Sequence, residues 1–266
     1  MSTPLTSRPL TARIAGIGYW SEGLPSWTAA RDFVATGTSA ADAPPKPSPQ
    51  LLPPNERRRA PESVAIALEV ALAACTDAGR DPKHLSSVFA STHGDLAITD
   101  YMCTTLAHDP AAISPTRFHN SVHNAAAGYW TIGNGCLAAT TAISAFDASF
   151  AQGLVEALSQ LATGTGAVLL AAYDGTAVGP AAALWASTGL LGGAMVLVAD
   201  EGAGLRLSAS LEPGDAPPGD GPLARQAHGN AMAPMLPLFD ALAVHGAGAI
   251  LHAGPGRVLR IELRND

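Results

Sequence analysis

The chain has 266 residues, of which 47% are hydrophobic and only 14% are charged. This length suits a single large domain with a sizeable core, and so low a charged fraction is typical of a protein that covers part of its surface with a partner. The formal net charge of −7 excludes the basic face that non-specific nucleic-acid binding requires, so no nucleic-acid partner is expected.

The first half of the chain alternates between strand and helix patterns. A buried strand over 11–18 ends on glycines, and a helix follows over 26–37 with Ser26 as its N-cap. Seven prolines within 38–61 predict a long exposed loop. The other predicted elements are a helix over 61–79, a strand over 86–91, and helices over 95–108 and 122–135.

The second half contains more strands than helices. Strands over 191–200 and 205–211 are separated by a tight EGAG turn, which predicts an antiparallel hairpin. A loop rich in Pro, Gly and Asp is predicted over 212–222. The other predicted elements are strands over 140–146, 167–174 and 257–263, and helices over 148–162 and about 230–244. The order favours one α/β domain over 1–266, with a mostly parallel mixed sheet and helices on both faces.

The cysteines and histidines do not have metal-site spacing. Cys75, Cys103 and Cys136 are odd in number and show no CxxC pattern, so they are interpreted as reduced thiols. His119 and His123 are four residues apart and could share a helix face, but no third ligand accompanies them. No metal is therefore expected.

Targeting signals and common catalytic motifs are also missing from the sequence. The first ten residues have no apolar signal-peptide region, and the apolar stretch 181–199 is broken by polar residues and glycines, so we expect a cytoplasmic protein without a membrane span. The motifs GxSxG, GxxxxGK[ST] and HExxH do not occur, and the GIG at 16–18 is not a dinucleotide fingerprint. No cofactor is expected.

One block of the sequence, 119–174, carries a distinctive order of motifs. The matching positions are Asn124, Ala127, Gly128, Gly135, 140–145, Gly164 and 167–172. This block resembles the centre of the β-ketoacyl synthases of the thiolase superfamily, in which an N-x-x-A-G helix leads to a strand that ends in the nucleophilic cysteine. The match runs without a gap and puts Asp147 at the position of that cysteine.

The resemblance implies a thiolase-like chain that does not condense acyl groups on its own. A condensing nucleophile must be a soft thiolate, whereas a carboxylate could form only a labile mixed anhydride. The synthases also need two histidines in their second half, and the nearest string here, His228-Gly229-Asn230, lacks the Thr and Gly that should follow. The chain of 266 residues is also far shorter than a full synthase, so we expect the second half of the thiolase-like fold to be truncated.

The run 118–124 resembles the chain length factors of aryl polyene pathways, and this implies partners. Such a chain forms a heterodimer with an active ketosynthase, their central strands lying side by side, and shapes the tunnel for the growing acyl or polyene chain in fatty-acid or polyketide-like biosynthesis. An acyl carrier protein is the second implied partner, and Arg57, Arg58 and Arg59 are its predicted docking point, unless they are a solvated helix start. The implied interface and tunnel residues are Asn124, Gly128, Thr141, Ile143, Ala145 and Phe146.

Alternatives remain at the sequence level. The distance from Cys136 to Gly153 imitates the synthase spacing, so Cys136 could be the nucleophile of a shortened condensing enzyme or acyltransferase. A binding module for an acyl chain or a carrier protein is a third hypothesis. Asp147 is also predicted to cap the helix that follows its strand. The run 93–95, His-Gly-Asp, follows a buried strand and is predicted to line a pocket.

Overall fold

The structure, a computed structural model, describes residues 9–265. The predicted absence of a signal peptide therefore falls almost entirely outside the described residues. Within them, eight strands are present: β1 Leu10–Ser21, β2 Ser86–Ala90, β3 Thr140–Ile143, β4 Ala167–Asp174, β5 Leu191–Val198, β6 Leu205–Pro213, β7 Gly248–Gly254 and β8 Arg257–Asn265. The α-helices in the same range are α1 Trp27–Thr36, α2 Pro54–Arg57, α3 Glu62–Asp77, α4 Leu96–His108, α5 Pro115–His119, α6 Ala125–Asn134, α7 Ser149–Ala162, α8 Pro222–Gln226 and α9 Leu236–Ala243.

All eight strands belong to one mixed sheet, in the order β3-β2-β4-β5-β1-β6-β8-β7. The α/β class is confirmed. The expectation that the sheet is mostly parallel is wrong, because only the pairs β2–β3 and β2–β4 are parallel and the other five pairs are antiparallel. Parallel neighbours need a crossover such as a helix, whereas β7 and β8 are joined by a short turn and β4 and β5 by a loop.

The hairpin predicted from β5 and β6 is also wrong. β1 lies between these two strands and pairs with both, for example Ile17 with Met195 and Ala12 with Leu207. The turn between them therefore spans the width of an intervening strand. Sequence reasoning missed β7, whose Gly and Ala residues give a weak strand pattern.

Helices cover both faces of the sheet, as predicted. Helices α3 and α6 pack on one face, and α7 and α9 pack on the other. Gly18 on β1 permits the closest approach, since a Cβ there would lie 2.0 Å from the carbonyl oxygen of Val70 on α3. This contact sets α3 directly against the centre of the sheet.

Several local predictions hold at the level of single residues. The Ser26 hydroxyl caps α1 by accepting a hydrogen bond from Ala29 N at 3.1 Å. The proline-rich segment is irregular except for the short α2 inside it. The second loop is shorter than predicted, since it runs between the end of β6 and the start of α8. β8 alternates between buried and exposed residues, so one of its faces is wet as expected.

Candidate functional site at a strand-to-helix elbow

The parallel strands β3, β2 and β4 end at the same edge of the sheet, and polar residues follow each of them. In α/β sheets, ligands bind at the carboxyl ends of parallel strands. This edge is formed by segments 144–149 after β3 and 91–95 after β2, and by Asp174 at the end of β4 with the two residues that follow it. This edge is the candidate site.

The segment after β3 forms a sharp elbow that leads into α7. Phe146 sits at its tip with a φ of 50°, a left-handed conformation that is strained for a bulky residue, and its side chain is 62% exposed. Ser149 holds the elbow, because its hydroxyl accepts from Ala145 N at 2.9 Å and donates to the Phe146 carbonyl oxygen at 2.7 Å. In α/β-hydrolases, a strained strand-to-helix turn presents the nucleophilic side chain to the substrate.

Asp147 follows directly, in the short 3₁₀ turn Phe146–Ala148. The prediction that its side chain caps a helix is wrong: neither this turn nor α7 has a side-chain cap, and Ser149 organises the turn instead. The exposed Asp147 lines a cleft of about 680 Å³ together with His228 and His252. Its assignment to the nucleophile position stays a prediction, and the strained backbone belongs to its neighbour Phe146.

A buried carboxylate ties the ends of β2 and β4 together. Asp174 is fully buried and accepts hydrogen bonds from Ser91 Oγ at 2.7 Å, from Thr92 N at 3.0 Å and from His93 N at 3.3 Å. Burial raises its pKa above the ordinary value, although the hydrogen bonds from Ser91 and Thr92 act in the opposite direction. The sequence does contain a signal for this residue, namely a single acid that closes an otherwise apolar strand.

Neighbouring segments complete this network. Asn230 Nδ2 donates to the carbonyl oxygen of Asp174 at 3.2 Å, and a ring nitrogen of His123 lies 2.9 Å from the carbonyl oxygen of Ser91. His119 instead makes an edge contact with Tyr129, so the two histidines do not share a site. Among residues 9–265, no group of three or more side chains could hold a metal ion.

An aromatic stack covers the elbow. The Trp185 ring lies 6.2 Å from the ring of Phe146 and 6.3 Å from that of His93, measured between centroids. His93, Gly94 and Asp95 line a cavity of about 620 Å³, as the sequence predicts. His93 therefore lines this cavity and also contacts Trp185, whose ring contacts Phe146 of the elbow.

Cys136 lies at the opposite end of the strands from the elbow. It is 5% exposed, and its thiol is 3.5 Å from the carbonyl oxygen of Leu85, which precedes β2. Since β2 and β3 are parallel, a residue beside the amino-terminal ends of both strands lies a strand's length away from the segments that follow them. Cys136 is not part of the candidate site.

The predicted interface residues do come together along one edge of the molecule. β3 is an edge strand of the sheet: it pairs with β2 on one side, and its other side is open within the described residues. Ser87 N donates to the carbonyl oxygen of Ala139 at 3.0 Å and Ser91 N to that of Ile143 at 3.1 Å. Because backbone groups alternate in direction along a strand, Thr140 and Ala142 direct theirs to the open side.

Side chains around this edge are unusually apolar for a surface. Leu137, just before β3, is 99% exposed, and Ile132 on α6 is 78% exposed. Asn124 is exposed at the start of α6, and Gly128 is half-buried within it. Thr141, Ile143 and Ala145 are half-buried, so all six predicted interface residues reach the surface.

The three arginines of the predicted docking point make different contacts. The guanidinium of Arg57 turns inward and donates to the Leu52 carbonyl oxygen at 2.8 Å. That of Arg58 donates to Asn55 Oδ1 within its own helix turn. Arg59 alone lines the 620 Å³ cavity.

Comparison with known proteins gives a family and a fold. Residues 27–244 match the model of the family "Beta-ketoacyl synthase, N-terminal domain". No curated protein sequence matches the chain. Among its described residues, no helix is long and apolar enough to cross a membrane.

The chain has the thiolase-like ketosynthase fold, as its similarity to three solved structures shows. The chain resembles one in the complex of the ketosynthase ApeO with its chain length factor ApeC from Xenorhabdus doucetiae, at 23% identity and a TM-score of 0.74, with 95% of this chain and 99% of that one covered. A second match is to a chain of AntDE:AntF, a type II PKS acyl-carrier protein in complex with its ketosynthase. The sequence identity is 12% and the TM-score is 0.72, with 97% of this chain and 100% of that one covered. A β-ketoacyl synthase from Burkholderia phymatum STM815 is 16% identical with a TM-score of 0.58, and 87% of this chain covers 70% of that one.

Proposed function

Because the chain belongs to the β-ketoacyl synthase N-terminal domain family, we propose that it is a non-catalytic subunit of the chain-length-factor type. The observation that carries this proposal is the elbow, where Phe146 and Asp147 stand and no thiol does. Condensation needs a thiolate that forms and releases a thioester, and neither a phenyl ring nor a carboxylate can replace it. The three cysteines of the chain all lie elsewhere.

The proposed partner is an active ketosynthase that pairs with the open side of β3. Two features support this: the outward backbone groups of Thr140 and Ala142, and the exposed apolar residues Leu137 and Ile132 that precede the strand. An open strand edge beside apolar side chains is a hazard for a lone protein and a ready surface for strand addition. Pairing there would join the two sheets into one.

In this proposal the pair shapes a tunnel for a growing acyl or polyene chain. Phe146 and Ala145, at the end of β3, would lie next to the partner and border the tunnel. An acyl carrier protein would deliver substrate to the partner's thiol, in a cytoplasmic pathway of the polyketide, fatty-acid or aryl polyene kind. Docking of the carrier protein at Arg57, Arg58 and Arg59 stays a prediction, weakened by the contacts that already engage the first two.

Labelling with an acyl-thioester probe tests the division of roles. The chain and a ketosynthase from the same gene cluster are incubated with the probe, separately and together, and then analysed by intact-mass spectrometry. We expect an adduct on the ketosynthase alone, and co-elution of the two proteins in size-exclusion chromatography. A stable acyl adduct on Cys136, or on any residue of the elbow, would overturn the non-catalytic role.

A further inference from the structure

The 620 Å³ cavity beside the elbow is lined by hydrogen-bond donors that have no acceptor within the described part of the protein. It lies between the amino-terminal ends of α3 and α4, and the exposed residues Arg59 and Arg117 line it. The Arg117 guanidinium lies 4.0 Å from the centre of the Tyr101 ring, which holds it in place. Within the described part of the chain, neither guanidinium donates to a carboxylate or a carbonyl oxygen.

A buried side-chain amide in the cavity wall also lacks a partner. Asn120 is 4% exposed and lines the cavity, and its Oδ1 accepts a hydrogen bond from the Tyr129 hydroxyl at 3.0 Å. Its Nδ2 donates to no residue in the range 9–265, and the residue itself is part of the cavity wall. A buried amide donor of this kind requires an acceptor, which a ligand can provide.

The acidic residues of the cavity are already engaged. Asp95 accepts from Ser63 Oγ at 2.8 Å and from Ile98 N at 2.9 Å. Glu62 pairs with Lys46. The helix α3 that begins with Glu62 has no side-chain cap, so its first backbone N–H groups also lack a side-chain acceptor. The unmatched groups of the cavity are therefore donors and cations, together with the buried Nε2 of His93, which can donate or accept according to the ring tautomer.

We propose that this cavity binds an amphipathic anion, a carboxylate or phosphate monoester carried on an apolar body. Arg59, Arg117 and Asn120 Nδ2 would hold the charged head, since guanidinium groups match such oxyanions in geometry and charge. Leu96, Ile98 and Leu190 line the same cavity and would contact the apolar body. Its volume is in the range of small-molecule sites. The site goes beyond the proposed pairing with a ketosynthase and needs no partner.

Isothermal titration calorimetry on the purified chain tests the site with three probes of equal chain length: octanoate, octyl phosphate and octanol. We expect at least one of the two anions to bind, and octanol to bind about tenfold more weakly or not at all, because it lacks the charge. Binding of only one anion would identify the head group as carboxylate or phosphate.

Substitutions locate the site. Arg59→Ala and Arg117→Ala should each weaken binding of the anion about tenfold. The matched control is Arg58→Ala, one residue away but bonded to Asn55 and not in the cavity, which should leave the affinity unchanged. Octanol binding as tightly as the anions, no binding of any probe, or equal losses in all three variants would overturn the proposal.

Discussion

Asp174 at the end of β4 accepts a hydrogen bond of 2.7 Å from the hydroxyl of Ser91, which follows β2. The two groups are buried where the parallel strands open onto the candidate site. Asp174→Ala should lower the free energy of unfolding by about 3 kcal/mol, because it leaves the Ser91 hydroxyl and the Thr92 N–H buried without an acceptor. Urea denaturation at pH 7 measures this loss, and a change below about 1 kcal/mol would contradict the role given to the carboxylate.

The same residue should make stability depend on pH. Burial raises the pKa of Asp174, so the folded protein holds this proton more tightly than the unfolded chain. The stabilisation is fully present below the unfolded pKa of about 3.9 and is lost as the pH rises through the raised folded pKa. Asp174→Asn removes the titrating group and with it this pH-dependent stabilisation. The difference in free energy of unfolding between wild type and variant, measured by urea denaturation, should therefore change between the unfolded and the folded pKa. A constant difference would contradict the shift.

Gly18 allows β1 to contact α3 backbone to backbone. Gly18→Ala should lower the free energy of unfolding by about 3 kcal/mol, because the new methyl group would meet the Val70 carbonyl oxygen. The control is Gly128→Ala in α6, where no atom lies within 4 Å of the added Cβ, and a gain of up to about 1 kcal/mol is expected from helix propensity. Equal losses in the two variants would show that the close approach is not the cause.

The thiols should differ sharply in reactivity. Cys103 is exposed on α4, whereas Cys75 and Cys136 are buried, and burial raises the pKa of the Cys75 thiol to about 12. In the native chain, Ellman's reagent at pH 8 should therefore react rapidly with one thiol, and in urea with all three. Cys103→Ser should abolish the rapid phase. A rapid phase that survives in this variant would reopen the case for Cys136 as a nucleophile.

Regular elements with strong local patterns could be predicted from the sequence. α3 has apolar residues at helical spacing, and Ser26 caps α1 as its position indicates. Strand order could not be predicted, because pairing is decided by packing across the whole sheet. The separation of β5 and β6 by β1 shows this, since a short turn between two strand patterns is the ordinary signal for a hairpin.

The site was predicted less completely than the fold. A strand over 140–146 and a helix after it were predicted, and the structure has the shorter β3 followed by the elbow and α7. The segment 93–95 lines a cavity as expected. The strain at Phe146, the contact with Trp185 and the donors of Arg117 and Asn120 depend on segments far apart in sequence. The cap predicted for Asp147 failed because Ser149, two residues later, makes the hydrogen bonds of the turn.

The most direct test of the central claim is a proline on the open side of β3. Ala142→Pro removes an N–H that faces away from β2. The chain should therefore fold with the β2–β3 hydrogen bonds intact, but β3 should no longer pair with a strand of the ketosynthase. Ala142→Val keeps the N–H and is the matched control. Native mass spectrometry of each variant co-expressed with the ketosynthase should show the heterodimer for the wild type and Ala142→Val. For Ala142→Pro it should show a folded chain alone, and an undiminished heterodimer in that variant would contradict pairing through β3.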